Sequence, residues 1–126
     1  MSKVCGGEDR INREDLLGQI KERHEKEEHQ NIIGAIEALP REEWGYELTC
    51  LLARAYNYVT PNEPCEWQLN KAVSLHESER EEGKDDLRWH FRMGYARYYL
   101  YREEKAFDCF RRVVELDPNH LDAQVF

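Results

Sequence analysis

The stretch that decides the fold is residues 103–119, E-E-K-A-F-D-C-F-R-R-V-V-E-L-D-P-N. Its apolar residues recur at intervals of three and four, at Ala106, Phe110, Val113 and Leu116. Because an α-helix has about 3.6 residues per turn, this period places them on one face of a helix. Proline cannot continue the helical hydrogen-bond ladder. The stretch therefore predicts a helix over residues 103–116 that buries one face and ends at Asp117-Pro118.

The same period recurs along the rest of the chain, in segments separated by Pro40, Pro61, Pro64 and Gly83. Asn12 is placed to cap a first helix, which ends in the charged run 21–28. Further helices are predicted at residues 32–39, 42–59, 64–75 and 86–100, with a polar loop at 77–86 and the opening of a last helix at 120–126. No segment sustains period-two alternation, so strands are not expected and the predicted fold class is all-α.

A shift of 41 residues sets Gly94 against Ala53 without a gap. The other matched pairs are Leu52 with Met93, Cys65 with Ala106, Leu69 with Phe110, Ala72 with Val113 and Leu75 with Leu116. Small residues let two helices approach closely, and the larger residues around them fill the grooves. We therefore predict that Ala53, Gly94, Cys65 and Ala106 mark close crossings within two antiparallel helix pairs. Such pairs are expected to stack, since each alone buries only one face.

Residues 87–120 resemble a tetratricopeptide repeat, a pair of helices 34 residues long. The resemblance rests on Met93-Gly94 in the first helix, Ala106 and Phe110 in the second, and Pro118 at the end. Residues 49–84 are similar to a weaker copy that lacks the closing proline and has Cys65 where alanine is usual. About seven extra residues separate the two copies, and residues 11–40 resemble a degenerate first copy.

The resemblance implies one domain over residues 1–126, folded as a right-handed superhelical stack of antiparallel helix pairs. The pairs are expected at residues 11–40, 42–82 and 86–118, with residues 119–126 as the start of a capping helix. This makes about two and a half to three repeats. A plain helical bundle is the alternative, but it does not explain why two copies match without a gap.

Composition narrows the function. Charged residues make up 35% of the chain and the net charge is −8, which argues against binding nucleic acid or an anionic membrane surface. No apolar run approaches the roughly 18 residues that span a bilayer, and residues 1–10 lack the apolar region of a secretory signal. Four cysteines without a C-x-x-C pair predict free thiols in the cytoplasm.

Motifs for chemistry are missing from the sequence. The paired carboxylates fall at predicted helix ends or in loops, where acidic side chains interact favourably with the positive end of the helix dipole. His24 and His29 are five residues apart, off a common helix face, so we expect no metal site. His90 is expected to be a buried, hydrogen-bonded core residue, and Cys109 to be partly buried. We therefore predict a protein that is not an enzyme and that has no catalytic residues and no cofactor.

Because no motif for chemistry is found, we expect the function to depend on the shape of the surface. In stacked helical hairpins the first helix of each pair lines the concave side. The residues predicted to bind a partner there are Arg54, Tyr58, Arg88, Phe91, Arg92 and Tyr95. Arginine beside aromatic rings is enriched at protein interfaces because both give large contacts. The alternative is that these rings pack against a missing neighbouring helix.

The expected partner is a peptide or protein segment, acidic or aromatic in character. Some family members grip a C-terminal carboxylate with lysine, asparagine and arginine, and Arg88 and Arg92 fall at two of those positions. Leu51 stands where that clamp needs asparagine, which makes an extended acidic or aromatic peptide the better expectation. A second hypothesis is a scaffold domain of a larger protein, or a homodimer, that uses the apolar C-terminal end of the stack.

Overall fold

The computed structural model describes residues 13–60 and 65–119. The helices are α1 (Arg13–Glu25), α2 (His29–Glu37), α3 (Gly45–Tyr58), α4 (Glu66–Glu77), α5 (Arg80–Gly83), α6 (Leu87–Tyr99) and α7 (Glu103–Leu116), and a 3₁₀ turn covers Arg41–Glu43. Within these ranges there is no strand. The all-α prediction is confirmed.

Several predicted boundaries need correction. The third helix begins at Gly45, because residues 41–43 form a 3₁₀ turn after Pro40 and Gly45 itself has a φ of +69°. Helix α1 extends to Glu25, into the charged run predicted to end it. The stretch predicted as a polar loop contains the short helix α5. Asn12, the turn at residues 61–64 and the helix predicted at 120–126 lie outside the described residues.

Helices that follow each other in sequence pack together, and α6 with α7 is the most extensive of these contacts. Gly94 on α6 lies against Phe110 on α7, and Arg97 lies against Cys109, so the two helices run antiparallel. Helix α6 also packs on α4 and, less extensively, on α3. The main core cluster joins α1 to α4 around Ile20, Ile36 and Leu52.

Three of the four small residues predicted at close helix crossings are buried, and the prediction for the fourth is wrong. Ala53 and Ala106 are fully buried, and a Cβ built on Gly94 would lie 2.7 Å from Cε1 of Phe110. Cys65 is exposed instead. The reason is its place in the helix: Cys65 is the N-cap of α4, whereas α7 begins three residues before Ala106.

The register of the buried positions nevertheless follows the 41-residue shift. Leu69 and Ala72 on α4 are buried, as are their counterparts Phe110 and Val113 on α7. Helix α4 therefore lacks about one turn at its start relative to α7. Gln68 occupies the space there: its Oε1 accepts hydrogen bonds from Oγ1 of Thr60 at 2.7 Å and from N of Cys65 at 3.4 Å.

Candidate functional site

The first helix of each predicted pair lines one concave cavity of about 410 Å³. These helices are α1, α3 and α6, and we call the cavity the arginine groove. Its lining residues are Leu17, Ile20, Lys21, His24 and Glu25 from α1, Glu47, Leu51 and Arg54 from α3, and Arg88 and Arg92 from α6. The groove thus combines an apolar strip with a concentration of guanidinium groups. Such a mixture suits an extended ligand with both apolar and acidic groups.

Arg54 lies at the middle of the arginine groove. Its Nε is buried and, within the described parts of the chain, has no hydrogen-bond partner. Burial, followed by the charge of Arg92, lowers the pKa of its guanidinium to about 10. Arg54 therefore stays protonated near neutral pH but carries a cation that is poorly solvated and weakly compensated.

Arg92 faces Arg54 from α6. Burial lowers the pKa of its guanidinium, and the neighbouring charge of Arg88 adds to the effect. Its backbone oxygen accepts a hydrogen bond of 3.2 Å from Nδ2 of Asn57, which ties α6 to α3 at this point. Among the residues at 13–60 and 65–119, no carboxylate forms an ion pair with Arg54 or Arg92.

Arg88 lies at the exposed rim of the groove and is already engaged. Its Nη2 lies 3.3 Å from Oδ2 of Asp86, and the hydrogen bond to that carboxylate raises the pKa of the Arg88 guanidinium. Asp86 also caps α6 by accepting from the backbone N of Arg88 at 3.0 Å, and it accepts from the hydroxyl of Tyr46 at 2.7 Å. A ligand at Arg88 therefore has to compete with Asp86, unlike a ligand at Arg54 or Arg92.

A row of rings continues from the groove along the same side of the molecule. The ring centroids of His24 and His29 are 5.3 Å apart, those of His29 and Tyr58 are 5.7 Å apart, and Tyr58 to Tyr95 is 4.8 Å. Tyr99 extends the row at 4.8 Å from Tyr95. Tyr58 and Tyr95, both predicted to bind a partner, therefore lie in contact, with their rings packed edge to face.

The two histidines line a second cavity of about 420 Å³, the histidine pocket, with Glu25, Glu27, Tyr58 and Val59. The two histidines lie off a common helix face, as their spacing predicted, but their rings still meet. The chain turns after α1 and places His29 on α2, which brings it back to His24. His24 lines both the histidine pocket and the arginine groove, so the two cavities share a wall.

Both histidines are held neutral near pH 7. Burial lowers the pKa of His24 to about 4, and the charge of Arg54 is the next largest cause. The pKa of His29 is lowered for the same two reasons. The Nδ1 atom of each ring is buried and has no hydrogen-bond partner in the described part of the chain.

Phe91 is the predicted site residue that lies elsewhere. Its ring centroid is 5.8 Å from that of Phe110, in a cluster with Leu87 and Val114 between α6 and α7. It does not line the arginine groove, because its position on α6 turns it toward α7. The other five predicted residues lie in the groove or in the ring row, with Arg54, Arg88 and Arg92 in the former.

Sequence reasoning missed the contribution of α1 to the site. None of the α1 residues that line the groove was among those predicted to bind a partner, and Lys21 and His24 fall in the charged run predicted to end the helix. The charged composition of residues 21–28 hid the fact that the helix continues through His24. The available signal was the four-residue spacing of Leu17, Lys21 and Glu25, which places them on one helical face.

The remaining candidates for chemistry lie outside the groove. His90 is only partly buried, with Nε2 2.8 Å from the backbone oxygen of Lys84. Cys109 is buried more fully than predicted, at 5% exposure, and burial raises the pKa of its thiol. Burial likewise raises the pKa of the Cys50 thiol to about 12. Neither thiol is activated as a nucleophile, since the thiolate is the reactive form.

The chain matches no protein-family model, no curated protein and no solved structure. Within residues 13–60 and 65–119, no helix is long and apolar enough to cross a membrane. The same residues contain no group of three or more His, Cys, Asp or Glu side chains arranged to hold a metal ion. The arginine groove with its ring row is therefore the site from which a function can be argued.

Proposed function

We propose that this chain is a tetratricopeptide-like interaction module that binds an acidic segment of a partner protein in the arginine groove. The observation that carries the proposal is the pairing of Arg54 with Arg92, two desolvated cations with no carboxylate bound to either in the described residues. A carboxylate seated between them would supply the missing counter-charge.

A desolvated guanidinium is costly unless it is paired and hydrogen-bonded. The chain has 26 acidic residues, so a counter-charge is abundant, yet none of the described carboxylates pairs with Arg54 or Arg92. Arg97, by contrast, is partly buried and lies 2.7 Å from the carboxylate of Glu77. An arginine pair without an ion-paired carboxylate, which Glu47 and Asp86 offset only through longer-range charge, is suited to an anionic ligand.

The shape and lining of the site favour a peptide over a small anion. Leu17, Ile20 and Leu51 offer an apolar strip beside the arginines, and Tyr58 and Tyr95 continue the surface beyond them. Aromatic residues and arginine are the commonest anchors of protein interfaces. A locally basic groove on a chain of net charge −8 would also orient an acidic ligand toward this side.

The tetratricopeptide assignment is supported by the resemblance of residues 87–120 and by the packing of successive helices. The close contact of Gly94 with Phe110 and the burial of Ala106 agree with the expected crossing. The exposed Cys65 departs from the pattern. Handedness of the stack, the cytoplasmic location and the absence of catalysis stay predictions.

The experiment that tests this function is a titration with a fluorescein-labelled hexaglutamate peptide, followed by fluorescence anisotropy. Arg54→Gln and Arg92→Gln should each weaken binding by about tenfold or more, because each removes one partner of a desolvated charge pair. Arg111→Gln is the matched control, since Arg111 is exposed on α7 and pairs with Asp108. Equal affinity of the two groove variants and the control would contradict the proposal.

Self-association through the C-terminal end of the stack is the second candidate, and the exposure of Phe107 at 45% favours it. Phe110 is buried against Gly94 and Phe91 and is not part of this exposed surface. Phe107→Ser should then shift a dimer toward monomer in sedimentation velocity. A monomer at every concentration for the unmodified chain would rule out this candidate.

A further inference from the structure

His24 stands between the two cavities of the site. It lines the arginine groove beside Arg54 and Arg92, and it lines the histidine pocket beside His29. Its ring contacts His29 at 5.3 Å and Tyr58 at 6.0 Å between centroids. Its buried Nδ1 has no hydrogen-bond partner in the described ranges. A ligand lying in the groove would therefore change the surroundings of this ring directly.

The charges around His24 come from four elements. They are Lys21 and Glu25 on α1 with Glu27 in the turn that follows, His29 at the start of α2, Glu47, Arg54 and Tyr58 on α3, and Arg88 and Arg92 on α6. Burial is the largest cause of the lowered pKa of His24, and the charge of Arg54, then of His29 and Arg92, adds to it. The ligand-free groove thus keeps His24 neutral partly because of the same cations that would receive an acidic ligand.

A bound carboxylate reverses that electrostatic effect. Seated between Arg54 and Arg92, it offsets their charges at His24 and adds a negative charge nearby. An opposite charge within about 4–6 Å raises the pKa of a histidine by about one to three units, and the loss of hydration when the groove is covered opposes this rise. Where the rise exceeds the opposing effect, the imidazole in the complex takes up a proton at a higher pH than the imidazole in the free protein.

We propose that capture of an acidic segment in the arginine groove is coupled to protonation of His24, so that binding strengthens as the solution becomes more acidic. This inference rests on the proposed function and names its regulation. By linkage, a ligand that raises the pKa of the ring binds more tightly at pH values where the complex is protonated and the free protein is not. Starting from a free pKa of about 4, affinity should rise roughly fivefold between about pH 7 and about pH 5.

The first experiment needs no ligand. The pKa of the His24 ring is measured by two-dimensional NMR on acidification of the unmodified chain, Arg54→Gln, Arg92→Gln and the control Arg111→Gln. Removing the charge at Arg54 should raise the pKa of His24 by roughly one unit, with a smaller rise for Arg92→Gln and none for the control. An unchanged pKa in both groove variants would overturn the coupling whatever the ligand.

The second experiment measures anisotropy of the labelled hexaglutamate peptide at about pH 7 and about pH 5, where glutamate side chains remain mostly charged. The readout is the ratio of the two affinities within each protein. His24→Gln should bring that ratio close to one, whereas His90→Gln, away from the groove, should keep the ratio of the unmodified chain.

The outcomes separate the coupling from the proposed function. Binding at both pH values with equal affinity in the unmodified chain would overturn the coupling and leave the groove function standing. No binding at either pH would overturn the groove function together with the coupling. A pH dependence that persists in His24→Gln but is lost in His29→Gln would overturn the assignment to His24.

Discussion

Hairpin α6–α7 and hairpin α3–α4 bury equivalent positions, but they fill those positions with different chemistry. Phe110 and Val113 are buried on α7, as Leu69 and Ala72 are on α4. Where α7 has the buried thiol of Cys109, α4 has Gln68, whose side chain bonds to the loop that precedes it. Helix α4 also buries His76, whose backbone oxygen accepts from Nε1 of Trp89 at 2.8 Å.

The difference shows what a repeat in sequence encodes. A shift of 41 residues preserves which positions turn inward, because side-chain direction follows the helical period. It does not preserve where the helix begins, which depends on capping by residues such as Cys65 and Gln68. Both hairpins have apolar cores, and helix α4 adds the buried polar side chains of Gln68 and His76.

The largest expected effect is at the closest contact of α6 with α7. Gly94→Leu should destabilise the fold by about 3 kcal/mol, because even a Cβ would overlap the Phe110 ring and the core has no room to adjust. Urea unfolding measures the change in the free energy of unfolding. The control is Gly18→Leu on α1, where nothing lies within 4 Å of an added Cβ. Equal stability of the two variants would contradict the crossing.

A second comparison uses the two small residues that the shift aligns. Ala106→Leu should cost about 2 kcal/mol by overpacking a fully buried site. Cys65→Leu should cost less than about 1 kcal/mol, because the side chain is exposed and only its cap contact at the start of α4 is lost. Thermal melts of the two variants side by side are the test. If Cys65→Leu proved as costly as Ala106→Leu, α4 would have to begin earlier than Glu66.

Acid sensitivity should come from α4 more than from α7. Burial lowers the pKa of His76 from 6.5 to about 3, with the charge of Arg92 as the next cause. Below pH 6.5 the unfolded chain binds a proton that the folded chain excludes. This contribution to stability is therefore complete above pH 6.5 and is lost as the pH falls toward 3.

The expected loss from this one residue between about pH 7 and about pH 5 is about 2 kcal/mol. Because His24 and His29 titrate in the same direction, the measurement is the difference between the unmodified chain and His76→Leu in urea unfolding at both pH values. His90→Leu is the control at a partly exposed site. An identical pH dependence for the unmodified chain and His76→Leu would refute the assignment.

The part of the site on α3 and α6 could largely be predicted from the sequence, whereas little of the part on α1 could be. Arg54, Arg88 and Arg92 were identified because a clear helical period shows which positions of α3 and α6 face away from the packing seam. Phe91 was misplaced, since an aromatic residue at the edge of that face can turn toward either neighbour. His24 and His29 were missed because their contact crosses a turn between two helices.

Taken alone, the sequence determined that the chain is helical, which positions face inward, and that Gly94 must be small. These properties follow from local geometry, since the helical period and the size of a side chain are written residue by residue. That Arg54 and Arg92 meet without an ion-paired carboxylate, and that His24 lines the same groove, follows only from the tertiary structure. Desolvation and the distance between charges on different helices depend on how the helices pack, and no local pattern encodes them.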